Sequence, residues 1–467
     1  MHSMKRRIAA LCLSAGIIFA PVSALASNTY DGDPAPDLIS LREAAKAKGI
    51  VIGSAVAGGG HHDAMPYENP FRHSPIYRRI LAHEFSSVTP ENQMKWDYIH
   101  PEKDTYNFTF ADEIVAFAQG NNQVVRGHTL LWHSQNPEWL EKGSFSKEEL
   151  RHILKDHITT VVGRYKGKIQ QWDVANEIFT GEGQLRTDEN IWIRELGEEI
   201  IADAFRWAHE ADPQARLFFN DYSVEGINDK STAYYELTKK LLAQGVPVHG
   251  FSAQAHLGTQ WGFDTSLRDN LARFDALGLE TAITELDVRI KFEGERPSEE
   301  LLAKQADHYG QTLRACLDVP GCQSVTLWGF NDTYSWVPNF FKGEGAATVL
   351  WEDYTPKPAY FRLLKEMGVE PSVTPPPTTP PPTTEPPATQ PPTTQPPTTQ
   401  PPTTQPPSTQ PPTTQPPTTK PPAQPGQPDK KPPQKIAKTG TLAGGTLVVG
   451  GVIAAVGSVA LIMRKRY

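Results

Sequence analysis

An eight-stranded (β/α)8 barrel is the fold this sequence predicts, and three observations predict it. Short apolar or β-branched runs recur eight times between about residues 50 and 330. Amphipathic stretches with the three-to-four spacing of surface helices separate them. Polar and aromatic residues crowd the C-terminal ends of those runs: His128, Glu177, Asn220, His256, Glu285 and Trp328. In a barrel that end forms the functional rim.

Taken in order, the chain of 467 residues begins with a basic start, an apolar stretch and a small-x-small ending at Ala24-Leu25-Ala26. That is the form of a signal peptide over 1–26, cleaved after Ala26. A retained signal anchor is the alternative. The runs then follow as Ile50–Ala57, Phe85–Pro90, Val124–Trp132 and Ile169–Glu177. The second half supplies Arg216–Tyr222, His249–Leu257, Glu280–Val288 and Ser324–Phe330. Gly197–Asp212 and Asp269–Gly278 show the helical periodicity most clearly. A doubly wound open sheet competes with the barrel, but Gly58–Gly60 runs into His61-His62 and lacks the spaced glycines of a dinucleotide loop. Residues 27–370 thus read as one barrel domain.

Beyond it the composition changes. Most of the 43 prolines lie from Pro371 onward, and from Pro386 they fall in a PPTTQ repeat. Such a segment cannot pair strands or build a core, so 371–435 reads as a disordered spacer in extended polyproline II. At ~3 Å per residue it could reach on the order of 200 Å. Next comes Ile436-Ala437-Lys438-Thr439-Gly440, then an uncharged run over 441–463 long enough for a transmembrane helix, then Arg464, Lys465 and Arg466. This order of pentapeptide, apolar span and basic tail resembles the sortase-processed sorting signal of Gram-positive surface proteins. Ile436 and Ala437 depart from its usual Leu and Pro. The resemblance implies sortase as a partner and attachment to peptidoglycan through Thr439, with a plain membrane anchor as the alternative.

A net charge of −8 with pI ≈ 6.0 argues against a nucleic-acid surface, which needs clustered Lys and Arg. Cys316 and Cys322 read as a short-loop disulfide in an exported protein, with two free buried thiols as the alternative. The pairs His61-His62 and His128/His133 have no carboxylate or Cys at ligand spacing, so no metal and no cofactor is expected.

Two glutamates end apolar runs, Glu177 in WDVANE and Glu285 in ITELD, on the fourth and seventh predicted strands. Paired carboxylates on one rim suit glycosidic-bond hydrolysis, which needs a proton donor and a nucleophile or base. The blocks around them carry a resemblance. They are TPENQMKW (Thr89–Trp96), RGHTLLWHSQNPEW (Arg126–Trp139), NDY (Asn220–Tyr222), QAHL (Gln254–Leu257), LWGFNDTYSW (Leu327–Trp336) and WEDYTPKPAY (Trp351–Tyr360). From about Asp37 to Gly368 the chain resembles glycoside hydrolase family 10 xylanases.

That resemblance implies a retaining endo-1,4-β-xylanase acting on xylan or xylo-oligosaccharides. It implies Glu177 as acid/base, Glu285 as nucleophile, and carboxyl groups about 5–5.5 Å apart. Glu177 is expected to start protonated, raised by the charge of Glu285. By the same resemblance His256 and Asp287 hold the nucleophile, Asn176 meets the sugar 2-hydroxyl and Gln254 contacts the acid/base. His128, Trp132, Trp328 and Trp336 line the reacting subsite, and Glu91, Asn92 and Lys95 grip the next xylose. Trp96, Trp139 and Trp351 read as core. Phe330 and Asn331 depart from the smaller or hydroxyl residues common in their block. A related β-glucanase, or a non-catalytic glycan-binding surface protein, is the alternative.

Overall fold

The computed structural model describes residues 39–372 and a two-residue strand, Ala24–Leu25, paired in parallel with Pro371–Ser372. Those four residues apart, the predicted signal peptide, the Pro/Thr linker, the pentapeptide Ile436–Gly440 and the span 441–463 lie outside the described residues. No helix among the described residues is long and apolar enough to cross a membrane.

Eight parallel strands close on themselves. They are β1 (Val51–Val56), β2 (Ser87–Pro90), β3 (Val124–Gly127), β4 (Gln171–Asn176), β5 (Arg216–Asp221), β6 (Gly250–Ala253), β7 (Glu280–Lys291) and β8 (Cys322–Leu327). Each pairs with its sequence neighbour, and β8 pairs with both β7 (Val325 opposite Ile283) and β1 (Val325 opposite Ile52). Six predicted runs contain a barrel strand, and the other two overlap one: β7 runs on to Lys291 and β8 starts at Cys322. Parallel strands with both faces covered need continuous apolar character, and β2 is buried at every position.

Helices cover the outside. Before β1 runs α1 (Leu41–Lys48); after successive strands come α2 (Pro75–Glu84), α3 (Thr109–Gly120), α4 (Lys147–Arg164), α5 (Glu199–Ala211), α6 (Asp229–Ala243), α7 (Leu267–Asp275), α8 (Glu299–Leu317) and α9 (Pro358–Glu366). Their starts follow local chemistry. Ser146 and Glu149 form a reciprocal capping box on α4, and Ser298 caps α8. Helix α5 buries Ile200, Ile201, Ala204, Phe205 and Ala208, the stripe that periodicity predicts. It starts two residues later than expected because Gly197, at φ 81, closes the preceding short helix Ile191–Leu196. Helix α7 runs two residues earlier than predicted and stops at Asp275.

Two predicted strands are interrupted, and both interruptions serve the rim. The run Val124–Trp132 leaves the ladder after Gly127, where a Cβ would lie 2.2 Å from the Trp172 ring. Leu130 and Leu131 then donate from their main-chain N–H groups to Asp173 and Val174. The run His249–Leu257 breaks after Ala253 and resumes as His256–Gly258, with Ala255 at φ 63 between. That turn takes Gln254 out of the ladder and sets His256 opposite Asp287 on β7. Strand β7 is longer than its neighbours: beyond the barrel it pairs with His256–Gly258 and with Glu344–Gly345. At the opposite end of β8, Cys316 and Cys322 are disulfide-bonded, as the sequence predicts.

Candidate active site

A cleft of about 650 Å³ opens at the C-terminal rim of the barrel. Its walls include Glu91, Asn92, Lys95, His128, Trp132, Gln254, His256, Trp328 and Trp336. Glu177 and Glu285 face the same space. Of the residues expected at the site, Asn176 and Asp287 do not line the cleft themselves. Each stands one layer behind, holding a residue that does.

Glu285 sits within β7, and two groups fix its carboxylate. Asn220 Nδ2 donates to Oε1 at 2.8 Å, and His256 Nε2 lies 3.2 Å from Oε2. The other ring nitrogen of His256 is 3.0 Å from Asp287 Oδ2, which also accepts from Trp336 Nε1 at 2.7 Å. Burial alone would push the imidazole down, but Asp287 and Glu285 together raise it to about 10. His256 is therefore an imidazolium between two carboxylates over the working pH range. Trp336 is held upright in the cleft wall by the same Asp287.

Glu177 is the residue after β4, at φ 55, a left-handed conformation uncommon outside glycine. Its main chain is pinned on both sides: its N–H donates to Asn220 O at 2.9 Å and its carbonyl accepts from Arg186 Nε at 3.0 Å. Gln254 Nε2 donates to Oε1 at 3.0 Å. Oε2 has no hydrogen-bond partner among the described residues and faces His133 Nδ1 at 3.8 Å, too far for one. The Asn176 amide is assigned with its oxygen accepting from Trp132 Nε1 at 3.1 Å and its nitrogen donating to Asn220 O at 3.1 Å.

The electrostatics of Glu177 differ from expectation. Burial raises its carboxyl, but His133, Gln254, Arg186 and Trp132 outweigh burial and bring it to about 2. Repulsion from Glu285 is not among the leading influences. His133 is itself pushed down to about 4 by burial, so its charge is absent at neutral pH. There the main lowering influence is gone and burial, the raising one, remains.

The remaining polar wall is cross-linked. Lys95 Nζ donates to Asn92 Oδ1 at 3.1 Å, and Gln135 Nε2 donates to the same oxygen at 3.2 Å. His62 Nε2 lies 2.8 Å from Glu91 Oε2. His128 is oriented by Asp173, 3.0 Å from its Nδ1, and Asp173 is held in turn by Arg126. Arg126 and Asp173 are buried ionic partners, so removing either would cost about 3–5 kcal/mol. Beside Lys95, Asp97 has its carboxyl raised to about 6 by burial.

Sequence reasoning missed Gln135, Asp173 and His133 as site residues, and placed Asn220 on the rim without its partner. Asn220 was signalled by its NDY block, but its contact with Glu285 spans 65 residues and no spacing rule reaches that far. The ligand-spacing argument about the histidines also needs correction. Carboxylates do join both pairs, from neighbouring strands: Glu91 joins His62, and Asp173 joins His128. Phe330 and Asn331 lie under the rim: Phe330 packs on Tyr77 and Phe85, and Asn331 donates to Trp351 O at 2.6 Å. Trp96 is fully buried and Trp351 nearly so, as expected of core residues.

A catalytic-type carboxylate pair on such a rim is matched by comparison. Residues 40–366 fit the model of glycosyl hydrolase family 10. The chain belongs to that family. Among its relatives, Endo-1,4-beta-xylanase B of Thermotoga neapolitana is 43% identical over 329 residues, which cover 70% of this chain and 92% of that protein. Beta-1,4-xylanase of Dictyoglomus thermophilum is 39% identical, with 70% and 91% covered. The solved structure of native xylanase 10B from Thermotoga maritima superposes with a TM-score of 0.66 at 45% identity, covering 71% of this chain and 98% of that one. Xylanase 10B from Thermotoga petrophila RKU-1, solved in complex with xylobiose, gives the same values. As a family 10 glycosidase, this chain presents a closed barrel whose rim polar groups are held by several hydrogen-bonded clusters.

Proposed function

We infer that this protein is an endo-1,4-β-xylanase that hydrolyses internal β-1,4-xylosidic bonds with retention of configuration. Membership of glycosyl hydrolase family 10 carries the reading, and the unequal surroundings of its two rim glutamates support the roles. Glu285, fixed by Asn220 and the His256 imidazolium, attacks the anomeric carbon. Glu177 protonates the departing glycosidic oxygen. A glycan filling the cleft expels water around Glu177 and adds to the burial that favours its protonated form. Once the glycosyl–Glu285 ester has formed, Glu177 accepts a proton from the incoming water. That water then releases the sugar.

The supporting residues follow from the same geometry. Asn176, behind the cleft, holds Trp132 in its wall, and Trp328 and His128 form an edge-to-face wall at the reacting ring, with centroids 5.4 Å apart. Trp336, together with Glu91, Asn92 and Lys95, narrows the cleft against the hydroxymethyl group that glucose carries and xylose lacks. Reducing-sugar release from xylan and from carboxymethylcellulose tests the reading. Release from xylan alone is expected, lost in Glu285→Ala. Equal release from both substrates would make the protein a broader β-glucanase, and no release from either would make it a binding protein.

The placement of the enzyme is a further proposal, supported by sequence order alone. A signal peptide ending at Ala26, the Pro/Thr spacer and the Ile436–Gly440 pentapeptide ahead of an apolar span and basic tail favour export and covalent attachment to the cell wall through Thr439. Deleting residues 436–467 should move activity from the wall fraction to the medium. Wall-bound activity that persists in the deletion would overturn attachment by this route.

A further inference from the structure

Strand β1 ends at Val56, paired with Pro90 at the end of β2, so the segments following the two strands share one stretch of rim. The first carries His61 and His62 in the turn Gly60–Ala64; the second begins with Glu91. One donor atom from each of the three residues lies within 4.8 Å of the other two. His62 Nε2 is 2.8 Å from Glu91 Oε2, and His61 Nδ1 is 4.0 Å from Glu91 Oε1. His61 Nε2 is a buried nitrogen with no hydrogen-bond partner among the described residues. His61 and Glu91 face the cleft.

We propose that His61, His62 and Glu91 form a site for a divalent transition-metal ion at one end of the cleft, and that metal and glycan exclude one another there. Two imidazoles and one carboxylate, with the remaining positions open to the cleft, are a common donor set for zinc. Metal–nitrogen bonds of about 2.0–2.1 Å bring such donors closer together than they now stand. A swing of the His61 ring, whose side chain is 13% exposed, supplies most of that contraction. The ion takes the place of the proton that His62 Nε2 shares with Glu91. Tyr67 OH, 2.9 Å from His62 Nδ1, can donate or accept, so it satisfies the ring in either tautomer.

The charges at the site select the ion. Lys95 lies close enough for its ammonium to act on both His61 and Glu91. A single carboxylate opposed by a lysine is a poor host for Mg2+ or Ca2+, which rely on several charged oxygens. Zn2+, Ni2+ and Cu2+ bind imidazole strongly enough to tolerate it. Glu91 is also one of the groups proposed above to grip a xylose, so an ion that engages it closes that subsite.

Calorimetric titration of the EDTA-treated full chain with ZnCl2 tests the site. One Zn2+ per chain is expected, weakened tenfold or more in His61→Ala and in His61→Gln, with no binding of MgCl2. Failure of Zn2+ to bind stoichiometrically at up to millimolar concentration would overturn the proposal. So would undiminished binding in both variants, which would place the ion elsewhere among the 14 histidines. A second titration with xylobiose present should weaken Zn2+ binding severalfold, and unchanged affinity would overturn the exclusion. That arm rests on the proposed function; xylobiose binding measured without metal shows which of the two readings has failed.

Discussion

The two sides of the cleft hold their glutamates in opposite ways. Glu285 lies inside a long strand, and both of its oxygens are engaged, by Asn220 and by an imidazolium. Glu177 lies just past a strand end in a left-handed turn, with its main chain fixed and one carboxyl oxygen unpaired. A group that must form a bond at one point in space gains from immobility. A group that must give and later take a proton gains from a free oxygen and a responsive pKa. On the proposed roles, the rim builds one of each.

The largest way to break this asymmetry is Glu285→Ala. Turnover on xylan should fall about 10⁵-fold or more, while calorimetric affinity for xylo-oligosaccharides stays near that of the wild type. Glu177→Ala should cost about 10²–10⁴-fold on xylan. Aryl xylosides whose leaving group needs little protonation should lose much less, and an equal loss on both would deny Glu177 the acid role.

Smaller changes sharpen the contrast. His256→Gln removes the imidazolium from the Glu285 side. Because the folded pKa, about 10, lies above the ordinary value near 6.5, His256 contributes stability that is fully present below about pH 6.5. That contribution fades as pH rises through about 10. The Tm gap between wild type and variant, on the order of 5 °C near pH 6, should therefore shrink steadily in melts recorded up to pH 10.5. On the other side, His133→Gln removes the first lowering influence on Glu177. That influence needs a charged imidazole, and His133 is neutral above about pH 4, so the basic limb of the kcat/KM profile should stay where it is. A limb displaced by about half a unit or more would show that His133 carries charge in the working range.

Much of this architecture was legible in the chain because its signals are local. Each barrel strand declares itself by an apolar run, and Glu177 and His256 declare themselves by standing near where such runs end, whereas Glu285, expected at a run's end, lies inside its strand. The helix starts at Ser146 and Ser298 are equally local, since a cap and its partner lie three residues apart. What stayed hidden depends on contacts between strands. Asn220 reaches Glu285 across two strands, and Glu91 meets His62 only because β1 and β2 pair in one register. The state of Glu177 escapes the sequence for the same reason: its pKa follows burial and His133, neither of which is visible in the spacing of two glutamates.

Strand β7 carries a consequence for how the gene can vary. Glu285, Asp287 and Arg289 occupy alternate positions, so all three project to one side, while Leu286, Val288 and Ile290 project to the other. Deleting or inserting a single residue upstream within this strand would exchange the two rows, presenting hydrocarbon to the sugar and charge to the packed helices. Length changes are thus far less tolerable here than substitutions, and diversification of specificity is channelled into the loops that follow the strands.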